Sequence, residues 1–177
     1  MKTLVIADLD GTLCHPSPYC TSTYLALSLA EQHVQAQTDT FRHALLHAPT
    51  APWVYKYGRL LYQGDFLLIL TGRWFYQQQI TYDWLKTHLA LDLPTPACYV
   101  QFLNFHGFFD LCHKKTDLFL SCLVAKLYDQ IVLFEDDAAI CATVRKYQEP
   151  QIDVYQIING CLPNAPRAES FEEAVEP

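Results

Sequence analysis

The sequence predicts an α/β protein in which a doubly wound parallel sheet of Rossmann type lies between two layers of helices, a three-layer α/β/α sandwich. Two observations support this fold class. Short apolar runs recur along the chain, and segments of helical periodicity separate most of them. The first run, residues 3–7, is almost wholly apolar, which is typical of a strand buried on both faces of a parallel sheet. At 177 residues, the chain can form one domain with a sizeable core.

The first predicted strand, residues 3–7, is followed directly by acidic residues. Asp8 ends the apolar run, Asp10 lies two residues later, and Gly11 lets the chain turn without a steric penalty. Open α/β sheets bind ligands at the carboxyl ends of their strands. The two carboxylates therefore mark a candidate site, although an Asp-x-Asp-Gly sequence by itself also fits a simple capped turn.

Residues 8–13, with the sequence DLDGTL, resemble the first motif of the haloacid dehalogenase-like phosphohydrolases. The resemblance implies that Asp8 is a nucleophile that becomes an aspartyl-phosphate and that Asp10 is a general acid and base. It also implies that Asp8 and the backbone carbonyl of Asp10 bind a metal ion. Three further motifs follow in the same order as in that superfamily, so the resemblance extends over about residues 3–160.

Residues 14–63 are predicted to form a small helical, cap-like insertion after the first strand. One helix is expected from Thr21 or Ser22 to about residue 37, with apolar residues such as Leu25 on one face. A second helix is expected from Asp39 or Thr40 to residue 46. The aromatic segment that follows, residues 53–62, has no clear periodicity.

The second predicted strand, residues 66–70, leads into Thr71, Gly72 and Arg73, and a helix is expected over residues 74–91. This arrangement is similar to the second motif of the superfamily, which has a Ser or Thr at the strand end. The resemblance implies that the Thr71 hydroxyl and nearby amides hold a phosphoryl oxygen, and a helix N-terminus favours an anion. Thr71, Gly72 and Arg73 are therefore candidate substrate-binding residues. Alone, this sequence also fits an ordinary strand-to-helix turn.

The third motif of the superfamily is a lysine that neutralises the nucleophile and the phosphate. A third strand is predicted over residues 97–102 and a helix over residues 114–128, so Lys114 and Lys115 are both candidates. Lys115 is favoured as the catalytic lysine, because residues such as Leu118 are expected to face the core.

The fourth predicted strand, residues 130–134, ends in Glu135, Asp136 and Asp137, which resembles the acidic fourth motif. The register of that motif implies that Asp136 binds the metal and that Asp137 begins the next helix, where a carboxylate is favoured; the alternative is Asp137 as the ligand. The predicted metal ligands are thus Asp8, Asp10 and Asp136. Oxygen ligands beside a phosphate favour Mg²⁺. A helix to about residue 147 and a fifth strand over residues 153–158 complete the sheet.

Composition limits the other possibilities. A formal charge of -7 argues against broad binding to nucleic acid. No apolar segment reaches the roughly 20 residues of a membrane span, and no secretion signal is evident. The seven cysteines form no Cys-x-x-Cys pair and fit reduced thiols, so a cytoplasmic location is expected. The acidic tail, residues 168–177, resembles glutamate-rich signals of some secreted bacterial effectors, although a solvated chain end is the simpler interpretation.

Together these features predict a single catalytic domain, a Mg²⁺-dependent phosphatase that hydrolyses a phosphate monoester. The alternatives are a phosphotransferase that uses the same site and a catalytically silent module that binds a phosphorylated ligand. A small insertion predicts a partly covered site, ringed by aromatic residues such as Trp53, Tyr55, Tyr57 and Trp74. The motif order is similar to that of polynucleotide 3′-phosphatase domains, so the expected substrate is a phosphorylated small molecule or a nucleotide or nucleic-acid end. No protein partner is evident from the sequence.

Overall fold

A five-stranded parallel sheet forms the centre of the protein in a computed structural model, which describes residues 1–91, 93, 95–103, 108–147 and 149–163. Every pair of neighbouring strands is parallel, so all carboxyl ends lie at one edge of the sheet. The spatial order is β3-β2-β1-β4-β5. The strands are β1 (Thr3–Asp8), β2 (Phe66–Thr71), β3 (Cys98–Phe102), β4 (Gln130–Glu135) and β5 (Ile152–Gln156).

Helices connect the strands on both sides of this sheet. Three short 3₁₀ helices cover Pro18–Cys20, Gly58–Tyr62 and Phe75–Gln77. Among the described residues, no helix combines the length and apolar character needed to cross a membrane. The α-helices are α1 (Ser22–Leu25), α2 (Leu29–Ala36), α3 (Asp39–Leu46), α4 (Pro52–Tyr57), α5 (Gln78–Leu89), α6 (Phe108–Val124) and α7 (Ala138–Arg145).

The two faces of the sheet pack against different helices. Because side chains alternate along a strand, Val5 of β1 faces one core with Trp84 of α5. Its neighbour Ile6 faces the other core with Phe119 of α6 and Val144 of α7. The predicted three-layer α/β/α class is thus confirmed, and the central strands begin and end within about one residue of the predicted positions.

The insertion differs from its prediction in two places. The single helix expected to reach residue 37 is divided, because Ser28 and Glu31 form a capping box that starts α2 as a new helix. Leu25, expected on a buried face, is 58% exposed. The third helix is capped by Thr38, whose hydroxyl accepts a hydrogen bond from the Phe41 amide, so the predicted cap at Asp39 or Thr40 was wrong by one or two residues.

The helices that follow the insertion also shift from their predicted bounds. The expected helix over residues 74–91 starts with a 3₁₀ turn before α5, and α6 begins six residues before the predicted start at residue 114. The start of β5 also precedes its prediction by one residue. The predicted acidic tail, residues 168–177, lies outside the described residues.

Of the four aromatic residues expected around the site, Trp53 belongs instead to the core. Its indole N–H donates to the Thr12 carbonyl oxygen at 2.7 Å, and its ring stacks on Phe134. This buried contact attaches α4 to the loop after β1. Tyr57 also packs against the core, and Tyr55 is largely exposed on α4.

Candidate active site

The predicted nucleophile, Asp8, is the last residue of β1 and is almost completely buried. Lys115 donates to its Oδ1 at 2.6 Å, whereas the buried Oδ2 accepts no hydrogen bond from the described residues. Burial raises the pKa of Asp8 to about 7, and the attraction of Lys115 only partly opposes this rise. A buried oxygen without a donor is costly unless a ligand satisfies it. Asp8 therefore has one buried oxygen without a hydrogen-bond donor among the described residues, which a bound cation would satisfy.

Lys115 lies between two carboxylates. Besides Asp8, its ammonium donates to the Glu135 oxygens at 3.1 and 3.3 Å. Burial alone would lower the pKa of Lys115, but Asp8 and Glu135 outweigh this effect and raise it, so the side chain stays charged. The other candidate, Lys114, instead forms an ion pair at 3.0 Å with Asp110, one helical turn earlier. The structure thus brings Lys115 to Asp8, whereas Lys114 pairs with Asp110.

Asp8 belongs to a cluster of three carboxylates. Asp8, Glu135 and Asp136 each contribute an oxygen to a group in which all three atoms lie within 4.8 Å of one another. Burial raises the pKa of Glu135 to about 7 and that of Asp136 to about 6. Hard oxygen donors of this kind suit Mg²⁺, Ca²⁺ or Mn²⁺. The unsatisfied Asp8 oxygen and this donor set fit a divalent cation.

Asp137 has a different role from Asp136. Its Oδ1 accepts hydrogen bonds from the amides of Ala139 and Ile140 at 2.7 and 3.0 Å, which caps α7. A carboxylate in this position stabilises the helix start. The structure thus places Asp137 at the helix start, as the sequence indicated, and leaves Asp136 beside Asp8.

The loop after β1 approaches Asp136 very closely. A Cβ atom on Gly11 would lie 2.1 Å from Asp136 Oδ2, and the φ of Gly11 is +99°, which other residues rarely adopt. The Thr12 hydroxyl donates to Asp136 Oδ1 at 3.2 Å. Gly11 therefore lets the loop approach Asp136, and Thr12 orients the Asp136 carboxylate. Thr12 belongs to the first motif, but the sequence predicted no role for it.

The carboxylate of Asp10 lies outside this cluster, because Arg73 binds it. The Arg73 guanidinium donates two hydrogen bonds of 2.8 Å, one to each Asp10 oxygen. The Ser17 hydroxyl adds a third at 2.5 Å, and Arg73, itself fully buried, also donates to Thr81 at 3.3 Å. The structure therefore brings Arg73 to Asp10. Metal binding by the Asp10 backbone carbonyl and substrate binding by Arg73 both stay predictions, and no sequence signal pointed to Ser17.

Thr71 lies close to Asp8 on the neighbouring strand. Asp8 is opposite Leu70 in the β1–β2 register, so Thr71, one residue further, stands at the same edge of the sheet. Adjacent strands are about 5 Å apart. Thr71 is buried, and its hydroxyl oxygen accepts a hydrogen bond from the Arg73 amide at 3.1 Å. The half-buried Gly72 follows. Phosphate binding by Thr71 and Gly72 stays a prediction.

Comparison with known proteins gives one likeness in fold. No family model matches the chain, and no curated protein matches it. The structure is similar to a chain of the solved Pnkp1/Rnl/Hen1 complex, with a TM-score of 0.53 and 18% sequence identity. The match covers 89% of this chain and 46% of that chain, so this protein corresponds to less than half of its structural neighbour. At this identity the likeness supports the α/β fold and does not establish a family.

Proposed function

We propose that the protein is a Mg²⁺-dependent phosphatase of the haloacid dehalogenase-like superfamily, which hydrolyses a phosphate monoester through an aspartyl-phosphate on Asp8. The observation that carries the proposal is the environment of Asp8. One of its oxygens is bound by Lys115 at 2.6 Å, the other has no donor among the described residues, and Asp8 belongs to a carboxylate cluster. A nucleophile that must meet a phosphoryl group needs such a free oxygen and positive charge beside it.

The proposed reaction has two halves. In the first, Asp8 attacks the phosphorus, the bond from phosphorus to the ester oxygen breaks, and Asp10 gives that oxygen a proton. In the second, Asp10 takes a proton from a water molecule as the water attacks the phosphorus, which releases phosphate and restores the Asp8 carboxylate.

Fixed side chains support both halves of this reaction. Arg73 and Ser17 hold the orientation of Asp10, and Lys115 offsets charge on the phosphoryl oxygens. Asp8, Glu135 and Asp136 would hold Mg²⁺, which stabilises negative charge when it is bound.

The substrate that we propose is a nucleotide or the phosphorylated end of a nucleic acid. The helices of the insertion are at most eight residues long, which suits a site with only a small cap. The order of the four motifs resembles that of polynucleotide 3′-phosphatase domains. The likeness to a chain of the Pnkp1/Rnl/Hen1 complex is compatible with this choice through the fold that the two chains share.

Phosphate release from three esters tests the proposal. A 3′-phosphorylated oligonucleotide, a 3′-mononucleotide and a sugar phosphate are compared with Mg²⁺ and with EDTA. We expect release from the two nucleotide substrates with Mg²⁺ only, and Asp8→Asn should reduce it to background while leaving the fold intact.

Four results would contradict the proposal or its parts. Release that survives Asp8→Asn would refute the assignment of the nucleophile. Transfer of the phosphoryl group to an added alcohol in preference to water would favour a phosphotransferase, and binding without release would favour a silent module. A clear preference for the sugar phosphate would refute the proposed substrate.

A further inference from the structure

A groove of about 500 Å³ lies on the flank of the protein, separate from the acidic cluster. Its walls are α4, the 3₁₀ helix Gly58–Tyr62 and the last turn of α5, and none of the predicted site residues lines it. The residues that matter for its chemistry are Tyr55, Lys56, Arg59, Tyr62 and His88.

The charge of this groove is opposite to that of the whole chain. The chain has a formal charge of -7, yet the lining contains Lys56 and Arg59 and no described acidic residue. Both cations are exposed, and neither forms an ion pair within the described part of the chain. Cations without carboxylate partners in an acidic protein create a local site for an anionic ligand.

Two exposed tyrosines accompany these cations. Tyr55 is 77% exposed and Tyr62 is 53% exposed. The Tyr62 hydroxyl donates to the Leu89 carbonyl oxygen at 2.5 Å, which fixes the position of that ring at the end of α5. Aromatic rings beside cations are the combination with which proteins bind single-stranded nucleic acid, since bases stack on the rings and phosphates contact the charges.

The groove also begins close to the proposed active site. Thr50, in its lining, pairs with Cys14, which in turn pairs with Asp10. Two successive backbone pairings of about 5 Å each put Thr50 at most about 10 Å from Asp10. The lining also includes residues of α4 and of the 3₁₀ helix, so the groove extends from Thr50 to these two helices.

We propose that this groove binds the single-stranded nucleic acid that leads away from the terminal phosphate. Lys56 and Arg59 contact backbone phosphates, and Tyr55 and Tyr62 stack on bases. This inference rests on the proposed function, because it assumes that the phosphate at the active site is the end of a strand. It predicts that a strand binds more tightly than a mononucleotide, although both offer the same terminal phosphate.

A charge-reversal pair tests the groove. The variant Lys56→Glu with Arg59→Glu is compared with Lys126→Glu with Lys146→Glu, which makes the same change in charge at exposed sites outside the groove. The kcat/KM is measured for a 3′-phosphorylated 12-nucleotide single strand and for a 3′-mononucleotide. We expect the groove variant to lose about 10- to 100-fold on the strand and less than about twofold on the mononucleotide, whereas the control variant keeps both values.

Two further measurements separate charge from stacking. Loss of two phosphate contacts should reduce the slope of log K against log salt concentration by about 1.4 for a single strand, which is about 0.7 for each phosphate. The variant Tyr55→Ala should weaken binding of the same strand by about 5- to 100-fold without changing this slope, because base stacking is lost.

The outcomes distinguish the groove from the proposed active site. Equal losses in the groove and control variants, or equal effects on strand and mononucleotide, would refute the groove while leaving the phosphatase proposal intact. If wild type hydrolyses neither ester, the proposed function fails, and fluorescence anisotropy with the 12-nucleotide strand still tests the groove by itself. A glutamate peptide that binds there as tightly as the strand would overturn the inference in favour of an acidic protein partner.

Discussion

Replacement of Lys115 by methionine tests the centre of the proposed site. Methionine keeps an unbranched side chain of similar reach and removes only the ammonium, which bridges Asp8 at 2.6 Å and Glu135 at 3.1 Å. The side chains of all three residues are at most 8% exposed. Breaking a buried ion pair by removing one partner costs about 3–5 kcal/mol, because the remaining charge is left uncompensated. Lys115→Met should therefore lower the free energy of unfolding by about this amount at pH 8 without a metal.

The matched control is Lys114→Met. The Lys114 side chain is 39% exposed, and its ion pair with Asp110 is of the exposed i,i+4 type, worth at most about 1 kcal/mol. For a chain of this length, 1 kcal/mol corresponds to about 2–4 °C in Tm. The Lys115 variant should melt about 6–20 °C below wild type, and the Lys114 variant within about 4 °C of it. Urea titration and thermal melting in EDTA measure both losses.

The pH dependence separates lost charge from lost packing. Burial raises the pKa values of Asp8 and Glu135 to about 7. Lys115 lowers both pKa values, so its removal raises them further and favours the neutral forms. The penalty in Lys115→Met therefore grows as the pH rises above about 7 and shrinks as the pH falls towards that value. Adding Glu135→Gln should recover part of the loss at pH 8. Equal losses in the Lys114 and Lys115 variants, or a deficit that does not change with pH, would refute the reasoning.

Three further predictions concern the metal and Asp10. Asp136→Asn should weaken Mg²⁺ binding, which calorimetry measures. Asp137→Asn should leave Mg²⁺ binding nearly unchanged, because Asn also caps helices. The reverse order would identify Asp137 as the metal ligand in place of Asp136. Arg73→Lys should lower turnover by up to about 100-fold, because lysine cannot reproduce the two parallel hydrogen bonds to Asp10. A small misplacement of the Asp10 carboxyl is costly to the reaction. An unchanged kcat would contradict a role of Arg73 in positioning Asp10. Mg²⁺ should raise the Tm more at pH 8 than at pH 5.5. The pKa values of Asp8 and Asp136 are about 7 and 6, so protons compete with the metal at the lower pH. Thermal melting with and without Mg²⁺ at both pH values checks this prediction.

The sheet could be predicted because its strands have a local signal. Buried parallel strands are continuous apolar runs, so β1, β2 and β4 are evident from composition alone. The insertion was harder, because its helices are short and their bounds depend on single caps. Ser28 and Glu31, three residues apart, form a capping box, and this pattern is visible in the sequence. The prediction instead followed the amphipathic pattern over residues 21–37 and placed a single helix there.

The polar contacts of the site could be predicted only in part. The acids at the ends of β1 and β4 follow from the alternation of strands and helices, because parallel strands end at one edge. The pairing of Arg73 with Asp10 spans 63 residues and depends on the adjacency of β1 and β2, which no local pattern gives. The contact of Ser17 with Asp10 depends on the path of an irregular loop. Such contacts follow from tertiary geometry and not from periodicity.

The charges of the acidic cluster favour a bound cation. When ionised, Asp8, Glu135 and Asp136 carry three negative charges, and Lys115 supplies one positive charge, so the buried cluster is left with a formal charge of -2. Arg73 donates two hydrogen bonds to Asp10, outside the cluster, and makes no hydrogen bond or ion pair with the cluster carboxylates among the described residues. An incoming phosphoryl group would add to the negative charge, and Lys115 alone cannot offset it. A divalent cation balances the cluster, so the proposed activity should require one strictly and fall to background in EDTA.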